Sequence, residues 1–462
     1  MLEWKKIMKY YLAIDVGASS GRHILGWIED GVMKTEEIYR FANGPMQVDG
    51  HLKWDTERLF KEMLNGLKKA GELGKIPQSV GIDTWGVDYA LLDENDELID
   101  GVYCYRDART EKTIPQVHSV IPFEKLYEKT GIAFANFNTV YQLLDDKQTG
   151  RMEKAKTFLM LPDYFHFRLT GVKRQEYTNA TTTGMLNALT HEWDEEILSA
   201  FGFKKELFGV LSQPTTLVGE FTDEVEAYVG YKTKVVLPAT HDTASAVLSA
   251  PLEGKTPYVS SGTWSLLGVE QERAHTDKDA LNSGYSNEGS IEYCFRFQKN
   301  IMGLWMIQQV RHELDDKYSF VELAQMAREN QIDDEISVND NRFFAPESMI
   351  TEIHGAVGRK LSVGETAYCI FNNLAKDYAR SLNALEKATG EKYDTLNIIG
   401  GGSKNELLNE LTKKYTKKRI ITGPTEGTAI GNLLMQTVAS GEIENLAQAR
   451  KLVKASFDIK EI

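Results

Sequence analysis

The sequence predicts an α/β protein of two lobes, and three observations carry that prediction. Its 462 residues exceed what one hydrophobic core organises. Two distant segments, Tyr11–Ile28 and Tyr258–Glu270, share one pattern: an apolar strand, a loop of small residues, then a second strand. Elsewhere, strand-like runs feed helix-like runs through glycine-rich or polar junctions, the alternation of an α/β sheet. The stretch Ala250–Pro257, with two prolines and a glycine and little periodicity, marks the boundary. It divides the chain into an N-terminal lobe over 1–250, a hinge over 251–257 and a C-terminal lobe over 258–462. The repeated hairpin fits either an ancestral duplication or coincidence, because Ser-Gly turns are common.

In chain order, the first element is the apolar run Leu12–Val16, which carries Asp15 and enters a loop containing Gly17 and Gly21. After Arg22 the chain resumes as His23–Ile28 and turns at Glu29–Gly31, so this is a hairpin and not a strand feeding a helix. A dinucleotide fingerprint or a Walker loop would open a helix here, and neither does. The loop is an ordinary Gly-Ser turn, or one whose amides and Ser19 and Ser20 hydroxyls surround a phosphate. Ser79–Leu92 reads as strand, glycine break and strand, with the break at Trp85-Gly86-Val87-Asp88. Pro162 starts a helix through Leu169 with Asp163 in its first turn. Residues 203–236 and 270–295 read as strands and loops.

Val235–Leu248 is a strand running into a helix with His241-Asp242-Thr243 at the junction, and ligands gather at such carboxyl ends. Asp242 is either the N-cap of that helix or a general base that accepts a hydroxyl proton during phosphoryl transfer. Lys299–Gln309 reads as a helix with Asn300 at its N-cap and an apolar face through Ile301, Leu304 and Trp305. Glu365–Ala388 is a long helix by its spacing. Leu396–Leu411 is strand, triple glycine, helix; Gly400-Gly-Gly402 completes no GxGxxG. The glycines form either a tight packing turn or a flat shelf on which an adenine lies.

Composition bounds the partners. The chain is 42% hydrophobic and 26% charged with a net charge of −14, which argues against nucleic acid and anionic membrane surfaces. No run reaches the ~20 apolar residues of a membrane span, and the N-terminus lacks the apolar core of a signal peptide. Three scattered cysteines, Cys104, Cys294 and Cys369, fit a reducing cytoplasm, and nine histidines show no zinc-ligand spacing. Oligomeric state, monomer or dimer, is left open by the sequence.

Taken together, the segments resemble the FGGY family of carbohydrate kinases from Tyr11 to about Ala439. They are Asp15–Arg22, Gly81-Ile-Asp-Thr-Trp-Gly-Val-Asp88, Leu161–Phe165, Glu176–Thr183, His241–Val247, Ser260–Ser265 and Asn300-Ile-Met-Gly-Leu-Trp305. The DTWGVD and NIMGLW strings are more specific than the glycine loops. The resemblance implies two ribonuclease H-like (actin-like ATPase) lobes with the active site in the cleft between them. Within the family the likeness is strongest to members that phosphorylate L-rhamnulose at its 1-hydroxyl using ATP and Mg²⁺. Carried over by position, it implies Asp242 as proton acceptor and Gly86, His241, Asp242, Thr243 and Asn300 as sugar contacts. It likewise implies Ala18, Ser19, Ser20, Gly21, Arg22, Thr263, Gln308 and Gly401 as ATP contacts. Asp15 matches the carboxylate that holds hydrated Mg²⁺. The Trp85–Asp88 break is then a β-bulge or a place where the sugar packs on backbone and the Trp85 indole. Alternatives are a kinase of L-fuculose, D-xylulose or another polyol, and a nucleotide-switched binding protein of the actin/Hsp70 kind.

Overall fold

A computed structural model describes residues 8–462. The reading of the N-terminus as free of a signal segment falls largely on residues 1–7, outside the described residues. The described chain separates into two compact units, the first comprising 8–249, 271–296 and 428–456, the second 250–270, 297–427 and 457–462. Residues 271–296 and 428–456, assigned by sequence to the C-terminal lobe, therefore belong with the first unit.

The first unit is built on a six-stranded sheet in the order 217–220, 234–236, 77–84, 10–16, 20–29, 32–42. The hairpin read from the sequence is present: Tyr10–Val16 and Ser20–Glu29 pair antiparallel, with Val16 opposite Gly21. Strand Pro77–Thr84 lies parallel to Tyr10–Val16, setting Asp15 beside Asp83, and Lys234–Val236 lies parallel on its other side. A parallel pair needs a crossover, and helix Thr56–Glu72 supplies it. Asp55 caps that helix by accepting from the Arg58 amide. Its apolar face (Leu59, Met63, Leu67) joins Leu12, Ile14, Ile82 and Val235 in one core with Phe165 and Leu169 of helix Leu161–Thr170.

Helix Gly427–Ala439 is tied to the same sheet by polar groups. Gln436 donates to the Leu12 carbonyl at 2.9 Å and accepts from the Ser79 hydroxyl at 2.7 Å. A second core, including Tyr89, Leu91, Phe158, Trp193 and Phe208, takes in residues of the antiparallel pair Tyr89–Leu92 and Thr157–Met160. The segments read as strands and loops also contain helices Asp223–Val229 and Lys278–Ser283. Both are short and capped by Thr222 and Asp277, so capping rather than a long apolar period sets them.

In the second unit, strand Tyr258–Ser261 pairs antiparallel with Trp264–Gln271 and parallel with Thr395–Ile399, which pairs parallel with Arg419–Thr422. The long helix is Val363–Thr389, opened by a reciprocal Ser362–Glu365 capping box. The expected helix Lys299–Gln309 is corrected. Asn300 lies on strand Phe295–Met302, and the helix is Trp305–Glu313 with Leu304 at its N-cap. Gly303 causes the break: a Cβ there would sit 2.6 Å from the Ser265 amide nitrogen, so the chain turns against the neighbouring strand.

Candidate active site

Three carboxylates meet at the carboxyl ends of adjacent parallel strands in the first unit. Asp15 ends one strand, its neighbour Asp83 the next, and Asp242 follows the third at the start of helix Asp242–Leu248. The N-cap residue is His241, not Asp242; Asp242 is the first helical residue, so its carboxylate is not used as a cap. Its Oδ1 instead accepts from the Thr243 amide at 2.5 Å and the Thr243 hydroxyl at 3.1 Å, and His241 Nε2 lies 3.5 Å away. All three groups converge on Oδ1, and among the described residues Oδ2 has no partner of its own. The side chain is 32% exposed but surrounded by protein, and desolvation raises its pKa. His241 opposes that shift, Asp15 adds to it, and the Thr243 bonds oppose it.

Asp15 is ion-paired with Arg22, whose Nε and Nη2 donate to Oδ2 at 2.9 and 2.8 Å. Asp83 is fully buried, accepts from Asn432 at 2.6 Å through Oδ2, and has no partner on Oδ1. Burial first, and then the Asp15 charge, push its pKa well above the usual carboxylate range. An orphaned buried carboxylate oxygen beside a second carboxylate suits a cation. Among the described residues no group of three side chains has direct metal-ligand geometry. The open Asp83 Oδ1 beside Asp15 is compatible with a hydrated cation, the form in which Mg²⁺ is commonly held.

Between the strands of the first hairpin, the Gly17 amide donates to the Ser20 carbonyl at 2.9 Å, closing a tight turn over Ala18 and Ser19. Asn43 braces the loop, donating from its amide to the Ser19 carbonyl and from Nδ2 to the Gly17 carbonyl. Ser19 is exposed and Ala18, Ser20 and Arg22 are half-buried, whereas Gly21 is buried against Phe41. In the second unit, Thr263 at the hairpin turn is exposed, and its hydroxyl lies 3.4 Å from Gln308 Oε1. The triple glycine divides by role. A Cβ on Gly402 would fall 1.9 Å from Ser261 Oγ, whereas one on Gly401 meets nothing within 4 Å. Gly402 is required for packing, and Gly401 presents open backbone.

The Trp85–Asp88 break is a tight turn. Val87 is held at φ +70°, where a β-branched residue is strained. Its amide donates to Thr182 Oγ1 at 3.0 Å, and its carbonyl accepts from Thr139 and Gln142. Asp88 accepts from the indoles of Trp54 and Trp85 at 2.7 and 2.8 Å. The Trp85 ring centroid lies 4.3 Å from that of Trp54, and the side chain is 8% exposed, so it packs into the core beside Trp54. Gly86 packs on Thr182, where a Cβ would meet the side chain at 2.9 Å.

Sequence reasoning missed Glu176 as a hub. Fully buried, it accepts from the amides of Thr178, Asn179 and Thr240 and from the hydroxyls of Thr178 and Thr240. It thus fixes the backbone immediately before His241. Asn179 adds a bond to the Thr240 carbonyl at 3.2 Å. A buried Glu followed by a Thr/Asn run was the available signal. Asn300 is exposed on its strand and makes no contact that argues for a role within its own unit.

The FGGY family of carbohydrate kinases matches in both parts, its N-terminal domain over residues 10–249 and its C-terminal domain over 257–440. A rhamnulokinase of Halalkalibacterium halodurans is 46% identical over 461 residues, covering 98% of each chain. That of Oceanobacillus iheyensis is 43% identical over 97% of each, and that of Bacillus subtilis 42% over 97% of this chain and 94% of its own. Among solved structures, a gluconate kinase from Lactobacillus acidophilus superposes with TM-score 0.79 at 18% identity, covering 98% of this chain and 93% of the other. A Plasmodium falciparum glycerol kinase with ADP does so with TM-score 0.77 at 14% identity, over 98% and 94%. At that identity the structural likeness shows the fold alone, one shared with these kinases.

Proposed function

The chain belongs to the FGGY family of carbohydrate kinases, and from that premise we propose that it transfers the γ-phosphate of ATP to the 1-hydroxyl of L-rhamnulose. The product is L-rhamnulose 1-phosphate, in the breakdown of L-rhamnose. The observation that carries the chemistry is Asp242, a desolvated carboxylate at the carboxyl end of a parallel sheet with one oxygen held and the other open. The choice of sugar is supported by rhamnulokinases 41–46% identical over nearly the whole chain.

In this reading Asp242 Oδ2 receives the proton as the sugar oxygen attacks the phosphorus. Phosphoryl transfer has a loose transition state, so the base chiefly orients the nucleophile and takes up its proton. His241 and Thr243 hold the carboxylate, and Gly86 offers backbone to the sugar. The assignment of Asn300 to the sugar is supported by the family likeness. The amides of Ala18 and Ser19, the hydroxyls of Ser19 and Ser20, Gly21 and Arg22 are assigned to the phosphates; Thr263, Gln308 and the open backbone of Gly401 to the rest of the nucleotide.

Asp15, with Asp83 behind it, would hold hydrated Mg²⁺, which neutralises phosphate charge when bound. A cytoplasmic setting is supported by three cysteines that form no disulfide among the described residues, two of them buried. The test is ADP release from MgATP with and without L-rhamnulose, and identification of a phosphate ester on C1 of the product. Turnover independent of sugar overturns the reading in favour of a nucleotide switch.

A further inference from the structure

Behind His241 lies a charged pair that neither the motifs nor the reaction scheme accounts for. Arg296 is fully buried, an expensive position for a guanidinium, and its Nε donates to the Gly289 carbonyl at 3.1 Å. Its Nη2 lies 3.1 Å from Glu288 Oε2 and 3.1 Å from His241 Nδ1, while Glu288 Oε2 is itself 3.2 Å from that same ring nitrogen. On the far side of the ring, His241 Nε2 faces Asp242 Oδ1 at 3.5 Å. Arg296, Glu288, His241 and Asp242 thus form a continuous polar string ending on the proposed base.

The donor and acceptor inventory restricts how the imidazole is protonated. Arginine only donates, and an ionised carboxylate only accepts. If the ring carried its single proton on Nδ1, that N–H would have Glu288 Oε2 in reach but would oppose the Arg296 N–H, and the bare Nε2 would face the Asp242 carboxylate. With the proton on Nε2, both contacts become favourable: Nδ1 accepts from Arg296, and Nε2–H points at Asp242. The two protons on Arg296 Nη2 then serve His241 and Glu288 together. A doubly protonated ring also places a proton on Nε2. The arrangement that leaves Nε2 bare is the one the surroundings oppose.

We propose that Glu288 and Arg296 are positioning residues that hold His241 with its Nε2–H directed at Asp242 Oδ1, leaving Oδ2 as the oxygen that takes the sugar proton. Arg296 supplies the donor that keeps Nδ1 deprotonated, and Glu288 supplies the counter-charge that makes a buried guanidinium tolerable. The consequence for turnover rests on Asp242 being the base, whereas the protonation pattern of the ring does not.

The test is selective ¹⁵N-histidine labelling of the full-length protein, with the His241 signals assigned by their loss in His241→Asn. The native protein should show a protonated Nε2. Arg296→Met removes the donor and leaves Glu288 to attract a proton to Nδ1, so the ring should move to the Nδ1–H form. Its kcat with sugar should fall about 10- to 100-fold, the usual cost of losing an outer-shell hydrogen bond, while KM for ATP changes less than about threefold, within the ~1.4 kcal/mol that separates a tenfold change. Arg296→Lys, which can still donate to Nδ1, should restore the Nε2–H form and most of the turnover.

Should Arg296→Met fail to fold, the apolar double variant Glu288→Met/Arg296→Met removes both charges together, a replacement buried ion pairs often tolerate. It should show both tautomers. An Nε2–H ring that persists in the methionine variants, with sugar turnover within twofold of native, overturns the proposal. Failure of the base assignment is seen separately, as a ring that changes tautomer in Arg296→Met beside an Asp242→Asn enzyme that keeps its turnover.

Discussion

At the scale of single residues, the open Oδ2 of Asp242 makes the sharpest prediction. Asp242→Asn keeps the Thr243 bonds to the carbonyl oxygen but cannot take up a proton, so kcat should drop about 10²–10⁴-fold with ATP binding retained. Near-native turnover in steady-state assays would remove Asp242 from the role of base. The acidity of the same group gives a second test. The carboxylate form is the active one, and desolvation raises its pKa, so kcat/KM for the sugar should fall as pH drops through a value higher than that of a free aspartate. His241 lowers that pKa, and removing it in His241→Asn should move the acid limb to higher pH. An acid limb that stays in place or moves lower would show that the imidazole does not govern the base.

At the scale of elements, one contact couples the carboxylate cluster to the packing of two helices. A Cβ on Gly431, in helix Gly427–Ala439, would lie 1.7 Å from the Ser245 carbonyl oxygen in helix Asp242–Leu248. A backbone oxygen cannot rotate away as a side chain can. Gly431→Ala should therefore force the helices apart at a cost of about 1–3 kcal/mol, disturbing the adjacent Asn432 bond to Asp83. Gly355→Ala, in helix Met349–Val357 with nothing within 4 Å of its added Cβ, is the comparison and should be neutral or stabilising by up to ~1 kcal/mol. Denaturant midpoints of the two variants check the difference, and equal midpoints would mean the helix contact has slack.

The same contrast between local and distant contacts explains what the sequence made legible. Both hairpins, the long helix from Val363 and the helix after the triple glycine follow from short-range periodicity and turn chemistry, and all stand as read. The Asn300 helix failed because its apolar spacing suits a buried strand as well as a helix. The contact of Gly303 with Ser265, 38 residues earlier in the chain, decided between them. The motifs supplied candidate site residues such as Asp15 and Asp242. Glu176, Asp83 with Asn432, and Arg296 with Glu288 were not among them, because each acquires its role from a partner tens to hundreds of residues away. The Asn432–Asp83 bond spans 349 positions and the Arg296–His241 bond spans 55, distances over which periodicity carries no information.

At the scale of the whole molecule, the question is which ketose the assembled site prefers, and the prediction is a ranking. L-Rhamnulose should exceed L-fuculose in kcat/KM, because the two differ in hydroxyl stereochemistry. A misplaced hydroxyl leaves a buried donor or acceptor unpaired at about 1–3 kcal/mol, or roughly five- to a hundred-fold. D-Xylulose lacks the terminal methyl-bearing carbon and should lose about 1–3 kcal/mol of apolar contact. Since Trp85 packs against Trp54 and is largely buried, Trp85→Phe should lower stability more than it alters the preference for L-rhamnulose over D-xylulose. The loss would come from the Trp85 indole bond to Asp88, which steadies the strained Val87 turn beside Gly86. Competition assays with pairs of ketoses at limiting MgATP measure the ranking directly. A preference for L-fuculose or D-xylulose would leave the kinase fold and the Asp242 chemistry standing and overturn the choice of sugar.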